Sequence, residues 1–173
     1  VTNEFAGSVT YYTNQPQDSK EGATNRIGFN LSGPIVKDKL SFRLYGNINK
    51  TDADAVNINA AATGNNNVAG VEGVRNRDIA GRLHWQPNAN HGLTLDASYS
   101  RQGNIYNGDT QNSNAAGITR QLLANGVGET ARLYRSAFSL THNGTWDWGT
   151  SRSYISYDYT KNSHLPEALY GGP

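Results

Sequence analysis

The chain has 173 residues, of which 36% are hydrophobic and 17% are charged, and its formal net charge is +1. Its polarity therefore comes from Asn, Gly, Ser, Thr, Gln and Tyr, a balance that favours strands over helices. So small a net charge gives no electrostatic basis for binding nucleic acid, and the lack of Cys excludes a disulfide framework and thiolate metal sites.

Seven segments alternate apolar and polar residues, the period of two that is typical of antiparallel strands with one apolar face. They cover residues 4–12, 26–32, 39–49, 78–85, 93–102, 134–142 and 151–160. In the third segment, Leu40, Phe42 and Leu44 share one parity, and Ser41 and Arg43 share the other. The pattern predicts an all-β antiparallel fold.

The connections between these segments alternate in length. Residues 33–38, 86–92 and 143–150 are short and turn-like, whereas residues 47–76 and 103–132 are about 30 residues each. This layout is typical of an outer-membrane β-barrel with short periplasmic turns and long extracellular loops. Because such barrels contain an even number of strands from 8 upward, about seven strands predict a partial barrel.

Aromatic residues also differ between the two edges of the predicted sheet. The Trp residues lie beside the short turns, and Tyr residues gather towards the other strand ends. They are Trp85, Trp146 and Trp148 at the first edge, and Tyr11, Tyr12, Tyr106, Tyr134, Tyr157 and Tyr159 at the second. Two aromatic girdles fit a membrane barrel. A soluble β-sandwich, whose strands also alternate, is the alternative.

Charged residues of the polar parity would point into the lumen of such a barrel. They are Arg26, Arg43, Arg82, Arg135, Arg152, Asp78, Asp96 and Asp158. They either pair across strands or form a positive vestibule for an anionic ligand. The four His lie in different segments without metal-ligand spacing, and no Gly-rich phosphate loop is present, so we expect no enzyme activity.

The second long connection is flanked by candidate ligand-binding residues. Arg135 follows it directly with inward parity, and Gln102 precedes it. Tyr106 lies within it and offers an aromatic face. Arg101 and Arg132 have the outward parity, so lipid head groups are the alternative partner for both.

Several long segments resemble the ferric enterobactin receptor family of TonB-dependent outer-membrane transporters. The segments are "LSFRLYGNINKTDAD", "NRDIAGRLHW", "SYSRQGNIYNGDTQNSN", "ARLYRSAFSLTHNGTWDWG" and "NSHLPEALYGG", in this order. The resemblance implies a plug domain inside a barrel of about 22 strands, with residues 1–173 as the N-terminal part of the barrel. We expect the plug and the other strands to lie outside this chain, since it starts without Met and directly before a strand.

The resemblance also implies a function in the bacterial outer membrane. A receptor of this family imports iron bound to a catecholate siderophore, driven by TonB with ExbB and ExbD through the plug. Iron would be carried as substrate, without a resident cofactor. Other expected partners are outer-membrane lipid, lipopolysaccharide, colicins and phages. The ligand contacts that it implies are Arg101, Gln102, Tyr106, Arg132, Tyr134 and Arg135.

One segment departs from the family pattern. The stretch "NAAATGNNNVAGVEG" has no aromatic and no basic residue, where relatives carry Tyr and Arg. The siderophore therefore stays open between enterobactin and a related catecholate. A passive porin or an adhesin-like barrel is the alternative within the membrane.

Overall fold

Seven strands form the architecture in a computed structural model, which describes residues 3–55, 58, 72–105 and 131–164. They are β1 (Ala6–Asn14), β2 (Thr24–Val36), β3 (Leu40–Thr51), β4 (Gly73–Asn88), β5 (His91–Ile105), β6 (Ala131–Trp146) and β7 (Gly149–His164). Every strand pairs antiparallel with the next, so the sheet order is the chain order. In the described ranges no helix is long and apolar enough to cross a bilayer.

All seven predicted strands are confirmed, but most are longer than the sequence pattern indicates. Strand β4 covers Gly73–Asn88 instead of residues 78–85, and β6 covers Ala131–Trp146 instead of residues 134–142. Backbone pairing continues beyond the alternating residues because ladder hydrogen bonds do not need apolar side chains. The short turns shrink accordingly, to residues 37–39, 89–90 and 147–148.

Two prolines lie inside strands near the short turns. Pro34 belongs to β2 and Pro87 to β4, and the pairing register shifts beside each of them. Proline has no N–H for the ladder, so it is tolerated in a sheet where a bulge relaxes the pairing. The predicted turn segments that contain these prolines are therefore partly strand.

One face of the sheet is apolar and uncovered by the described residues; we call it the outward face. Val9 is 78% exposed and Ile155 is 67% exposed, although both are strand residues. A typical row across the sheet consists of Leu31, Leu44, Gly81, Ala97, Phe138 and Tyr157. A continuous apolar surface of this kind requires a bilayer or a partner to cover it. Tyr12, one of the girdle residues, lies on the other face, beside Arg26.

The polar face is concave, and we call it the inward face. Side chains from all seven strands line one depression of about 620 Å³ on this face. The pairing register places all eight charged residues of the polar parity on it, as the sequence predicts. The sheet therefore has an apolar convex surface and a charged concave one, as expected for part of a barrel wall.

Aromatic rings cluster at the edge of the sheet that carries the short turns. The rings of Trp146 and Trp148 are stacked with centroids 6.4 Å apart. His91 stacks on His142, and its Nδ1 lies 3.0 Å from Nε2 of that ring. The structure thus brings together two of the four His that are distant in sequence, next to the Trp girdle.

Candidate ligand-binding site

Arg135 lies on the inward face near the edge with the long connections, which we call the loop edge. It is exposed, and it pairs with Ser100 of β5 and Thr160 of β7. Asp78 lies in the same row and Asp158 in the next one, and all five residues line the depression of about 620 Å³. Among the described residues no salt bridge reaches Arg135. Its guanidinium can therefore bind an anionic group that enters the concave side.

Gln102 lies one row closer to the loop edge, in a row rich in amides. On the inward face this row contains Tyr12, Arg26, Asn49, Asn76, Gln102, Leu133 and Asn162. Asn76, Gln102 and Asn162 line a second depression of about 300 Å³. The side-chain carbonyl oxygens of Asn49 and Asn76 accept no hydrogen bond from the described residues. Both oxygens are buried in the described sheet, whereas Gln102 and Asn162 are exposed, so these two amides are the ones placed to meet a polar ligand.

This amide row was missed by the sequence analysis. Asn49, Asn76 and Asn162 have the inward parity of their strands, but Asn76 and Asn162 fall outside the predicted strand limits. They were missed because the strands were predicted too short. The alternation of apolar and polar residues, which set the predicted limits, ends before Asn76 and Asn162. A search for polar residues one or two positions beyond each predicted strand would have found them.

Three of the candidate residues lie on the outward face. Arg101 pairs directly with Tyr134, and its guanidinium carbon is 5.8 Å from the centroid of that ring. Arg132 pairs with Gly103 one row closer to the loop edge. The structure thus separates Arg101, Arg132 and Tyr134 from Gln102 and Arg135 by the thickness of the sheet. Tyr106 lies outside the described residues.

An ion pair and its neighbours occupy the middle of the inward face. Arg82 Nε lies 2.6 Å from Asp96 Oδ1 across strands β4 and β5. Arg43 pairs with Arg82 in the same row, and its Nε donates a hydrogen bond to Asn30 Oδ1 at 3.1 Å. Its guanidinium carbon also lies 5.1 Å from the centroid of the Tyr45 ring. These contacts fix the Arg side chains across strands, which leaves Arg135 and Gln102 as the groups best placed to meet a ligand from the loop edge.

The donors on the inward face suit reversible binding of an anion. Guanidinium and amide groups donate several directed hydrogen bonds to carboxylate, phosphate or catecholate oxygens. Within the part of the chain that the structure describes, no group of three or more His, Asp or Glu side chains is placed to hold a metal ion. The chemistry that this face supports is hydrogen-bonded recognition of a polar molecule, with Arg135 as the cation for an anionic group and Asp78 and Asp158 as acidic neighbours in the same depression.

Known proteins match this chain over almost its whole length. A probable TonB-dependent siderophore receptor, PirA from Acinetobacter baumannii, is 53% identical over 99% of the chain. The ferric enterobactin receptor PirA from Pseudomonas aeruginosa is 51% identical over 98% of it. The chain spans only 22% and 23% of these two proteins. No protein-family model matches the chain.

Solved structures give the same result for the fold. A crystal structure of PirA from Acinetobacter baumannii matches 96% of the chain with a TM-score of 0.81 at 53% identity, over 23% of its own length. A variant of the ferric enterobactin receptor from Pseudomonas aeruginosa, crystallised with enterobactin, matches 94% of the chain with a TM-score of 0.77 at 44% identity, over 24% of its own length. The described sheet is therefore part of an outer-membrane β-barrel, and a β-sandwich is excluded.

The class that the fold defines is thus an outer-membrane barrel of the receptor type, with a concave polar lumen and an apolar exterior. The chain belongs to the family of TonB-dependent siderophore receptors and corresponds to slightly less than a quarter of such a receptor. The family predicted from the sequence is confirmed. Relatives of this family are named receptors, which agrees with the expectation that the chain is not an enzyme.

Proposed function

We propose that the whole receptor of which this chain is a part imports a ferric catecholate siderophore across the bacterial outer membrane. The observation that carries the proposal is the placement of Arg135 and Gln102 on the concave face beside the loop edge, in a barrel whose relatives are ferric enterobactin receptors. A ferric tris-catecholate is anionic and carries flat aromatic rings. Guanidinium groups suit both properties, by charge and by stacking on rings.

Within the described part of the chain, we propose Gln102 and Arg135 as direct ligand contacts. The amides of Asn49, Asn76 and Asn162 extend this surface towards the loop edge. Arg101, Arg132 and Tyr134 lie on the opposite face, so they reach a ligand only if it contacts the outer rim of the barrel. Their assignment as ligand contacts stays a prediction, as does that of Tyr106.

The transport step is proposed to follow the scheme of the family. TonB, with ExbB and ExbD, would act on a plug domain encoded outside this chain. Iron is then cargo, held by the siderophore throughout, and the barrel needs no resident cofactor. Colicins and phages stay candidate partners of the extracellular loops.

Iron uptake tests the proposed substrate class. A receptor-deletion strain that carries the full-length receptor is grown under iron limitation, and uptake of radioactive iron is measured with catecholate, hydroxamate and carboxylate siderophores. Uptake only with catecholates, and only when TonB is present, is the expected result. Equal uptake of all siderophores, or uptake without TonB, would point to a passive pore and contradict the proposal.

A single substitution tests the proposed site. Replacing Arg135→Gln removes one charge from the loop-edge side of the lumen and is expected to weaken binding of the ferric catecholate about tenfold, the usual effect of losing one charge-assisted hydrogen bond. The matched control is Arg152→Gln, which removes an inward Arg near the opposite edge. Binding is measured by fluorescence quenching on the purified full-length receptor. An equal loss in both variants would show a general effect of lumen charge and no contact at Arg135.

A further inference from the structure

The side chain of Asn104 joins the ends of the two strands that flank β5. Its Nδ2 donates a hydrogen bond to Glu72 Oε2 at 2.8 Å, and its Oδ1 accepts one from the backbone N–H of Ala131 at 2.9 Å. Glu72 directly precedes β4, Asn104 lies near the end of β5, and Ala131 begins β6. One amide thus links three adjacent strands at the loop edge.

The contact with β6 lies where a backbone ladder ends. The pairing of β5 with β6 stops at Gly103 and Arg132. Ala131 is the next residue towards the loop edge, and its N–H is bonded to the Asn104 side chain where a backbone carbonyl would otherwise continue the ladder. The backbone of Asn104 still pairs with Val74 of β4. Its backbone therefore belongs to one ladder, and its side chain extends the other.

The orientation of this amide is determined by its two partners. A carboxylate such as that of Glu72 only accepts hydrogen bonds, whereas a backbone N–H only donates. Asparagine satisfies both at once because it presents a donor group and an acceptor group. An aspartate in its place would still accept from Ala131, but it would set a second carboxylate against Glu72. All three residues are half-buried, so water replaces a lost contact only in part.

The start of β4 gives the amide a fixed anchor. Gly73, which follows Glu72, is buried, and a Cβ atom on it would lie 2.6 Å from the backbone oxygen of Thr51 and 2.8 Å from Cβ of Ile105. At this height β4 is therefore close-packed between β3 and β5, without room for a side chain. The Glu72 carboxylate is held next to this packed backbone, and Asn104 links it to β6.

Asn104 also lies beside the proposed ligand site. It lines the depression of about 300 Å³ together with Gln102, Ala131 and Asn162, and it shares the inward face with Gln102. Because Ala131 belongs to the wall of this depression, a displacement of β6 against β5 would change its width. Binding groups have to be held within about 0.5 Å of their productive geometry, so the contact with Ala131 bears on affinity.

We propose that Asn104 is a positioning residue of the siderophore site, which holds the starts of β4 and β6 against β5 and so sets the shape of the depression beside Gln102. The inference rests on the proposed function, since it concerns the same site. The part of Asn104 in binding runs through Ala131 and Gln102, without a contact of its own to the ligand.

Reciprocal substitution of the hydrogen-bonded pair tests this role in the purified full-length receptor. Asn104→Asp is expected to weaken binding of ferric enterobactin about tenfold, because it removes the donor to Glu72 and adds a like charge. Glu72→Gln keeps an acceptor for Asn104 and should change the affinity less than about threefold. The double variant Asn104→Asp/Glu72→Gln exchanges donor and acceptor at the same net charge, so it should recover most of the affinity. Fluorescence quenching measures the binding.

Hydrogen exchange of the ligand-free receptor gives a second readout. A peptide that contains Ala131 should exchange faster in Asn104→Asp than in the wild type, and at the wild-type rate in the double variant, because this N–H is protected by the side chain at position 104. If Asn104→Asp does not assemble, Asn104→Ala is expected to weaken binding and to raise exchange without adding a charge. The matched control is Asn88→Ala at the opposite edge, where Asn88 Oδ1 accepts hydrogen bonds from the backbone N–H groups of Asn90 and His91. This control should leave both readouts unchanged.

The outcomes separate this role from the proposed function. If the wild-type receptor binds ferric enterobactin but the double variant does not recover affinity, Asn104 contacts the ligand directly and the positioning role is overturned. Unchanged exchange at Ala131, or an equal loss of affinity in Asn88→Ala, would overturn it as well. A wild-type receptor without affinity for any ferric catecholate would overturn the proposed function, and the role of Asn104 in binding with it.

Discussion

The two faces of the sheet are built from alternate residues of the same strands, yet they distribute charge differently. On the inward face, Arg and Asp occur from one edge to the other, and one pair forms a direct contact between Arg82 and Asp96. On the outward face, Arg and Lys occur only in two rows near the loop edge, and the rows below are apolar or small except for His91 and His142 at the edge with the short turns. A charged residue is thus accepted at any height on the inward face. On the outward face, Arg and Lys are accepted only near the loop edge, away from the middle of the bilayer.

The largest expected effect comes from placing a charge in the middle of the outward face. The matched comparison is a charge in the middle of the inward face. Ala97 and Ser98 are adjacent and exposed in β5, and they point outward and inward respectively. Ala97→Arg should destabilise the full-length receptor by about 2–4 kcal/mol, the cost of Arg near the bilayer midplane. Ser98→Arg should cost less than about 1 kcal/mol because its side chain faces the lumen. The measurement is the urea midpoint of the receptor folded in lipid vesicles. Equal losses of stability in the two variants would mean that the two faces contact the same kind of solvent.

The strands and their faces were predictable from sequence because burial against lipid imposes a strict period of two. The limits of the strands were not. At Arg75 and Arg77 the outward positions become charged, so the apolar alternation ends while the backbone pairing continues to Gly73. The bilayer determines where the alternation stops, and hydrogen bonding determines where the strand stops. Only the first of these leaves a signal in the residue types.

The candidate site was predictable only in part for a related reason. A resemblance assigns residues by position along the chain, and Tyr134 and Arg135 are neighbours there. In the sheet they point to opposite faces, as do Arg101 and Gln102. The alternation of faces along each strand shows which of these residues point apart, whereas a family pattern of residue types does not. The amide row was missed because Asn76 and Asn162 lie beyond the apolar alternation, in parts of β4 and β7 that the sequence pattern does not mark as strand.

A smaller effect concerns how closely the outward face is packed between strands. A Cβ atom at Gly46 would lie 2.4 Å from the backbone oxygen of Asp78 and 3.1 Å from the ring of Phe29. At Gly81, on the next strand, the nearest atom would be 3.7 Å away. Gly46→Ala should therefore cost about 1–3 kcal/mol through overpacking. Gly81→Ala should be neutral or stabilise by up to about 1 kcal/mol, because Ala restricts the unfolded chain.

The same urea midpoints in vesicles measure both Gly variants. A loss at Gly81 equal to that at Gly46 would show that small size on the outward face is required by the lipid contact. A loss confined to Gly46 would locate the constraint in the approach of Phe29 and the β4 backbone. The comparison thus separates packing within the wall from packing against the membrane.

The smallest expected effect is the coupling between Arg82 and Asp96 on the inward face. Their side chains are 58% and 36% exposed in the described sheet, so solvent screens the pair, and a double-mutant cycle with Arg82→Met and Asp96→Asn should give a coupling of about 0.2–1 kcal/mol. Added salt should reduce it. A coupling of several kcal/mol that resists salt would contradict this expectation, because only a pair removed from water behaves in that way. Such a result would mean that another part of the receptor covers the pair. The concave face would then be an internal interface at the level of Arg82 and Asp96, and a ligand surface only nearer the loop edge.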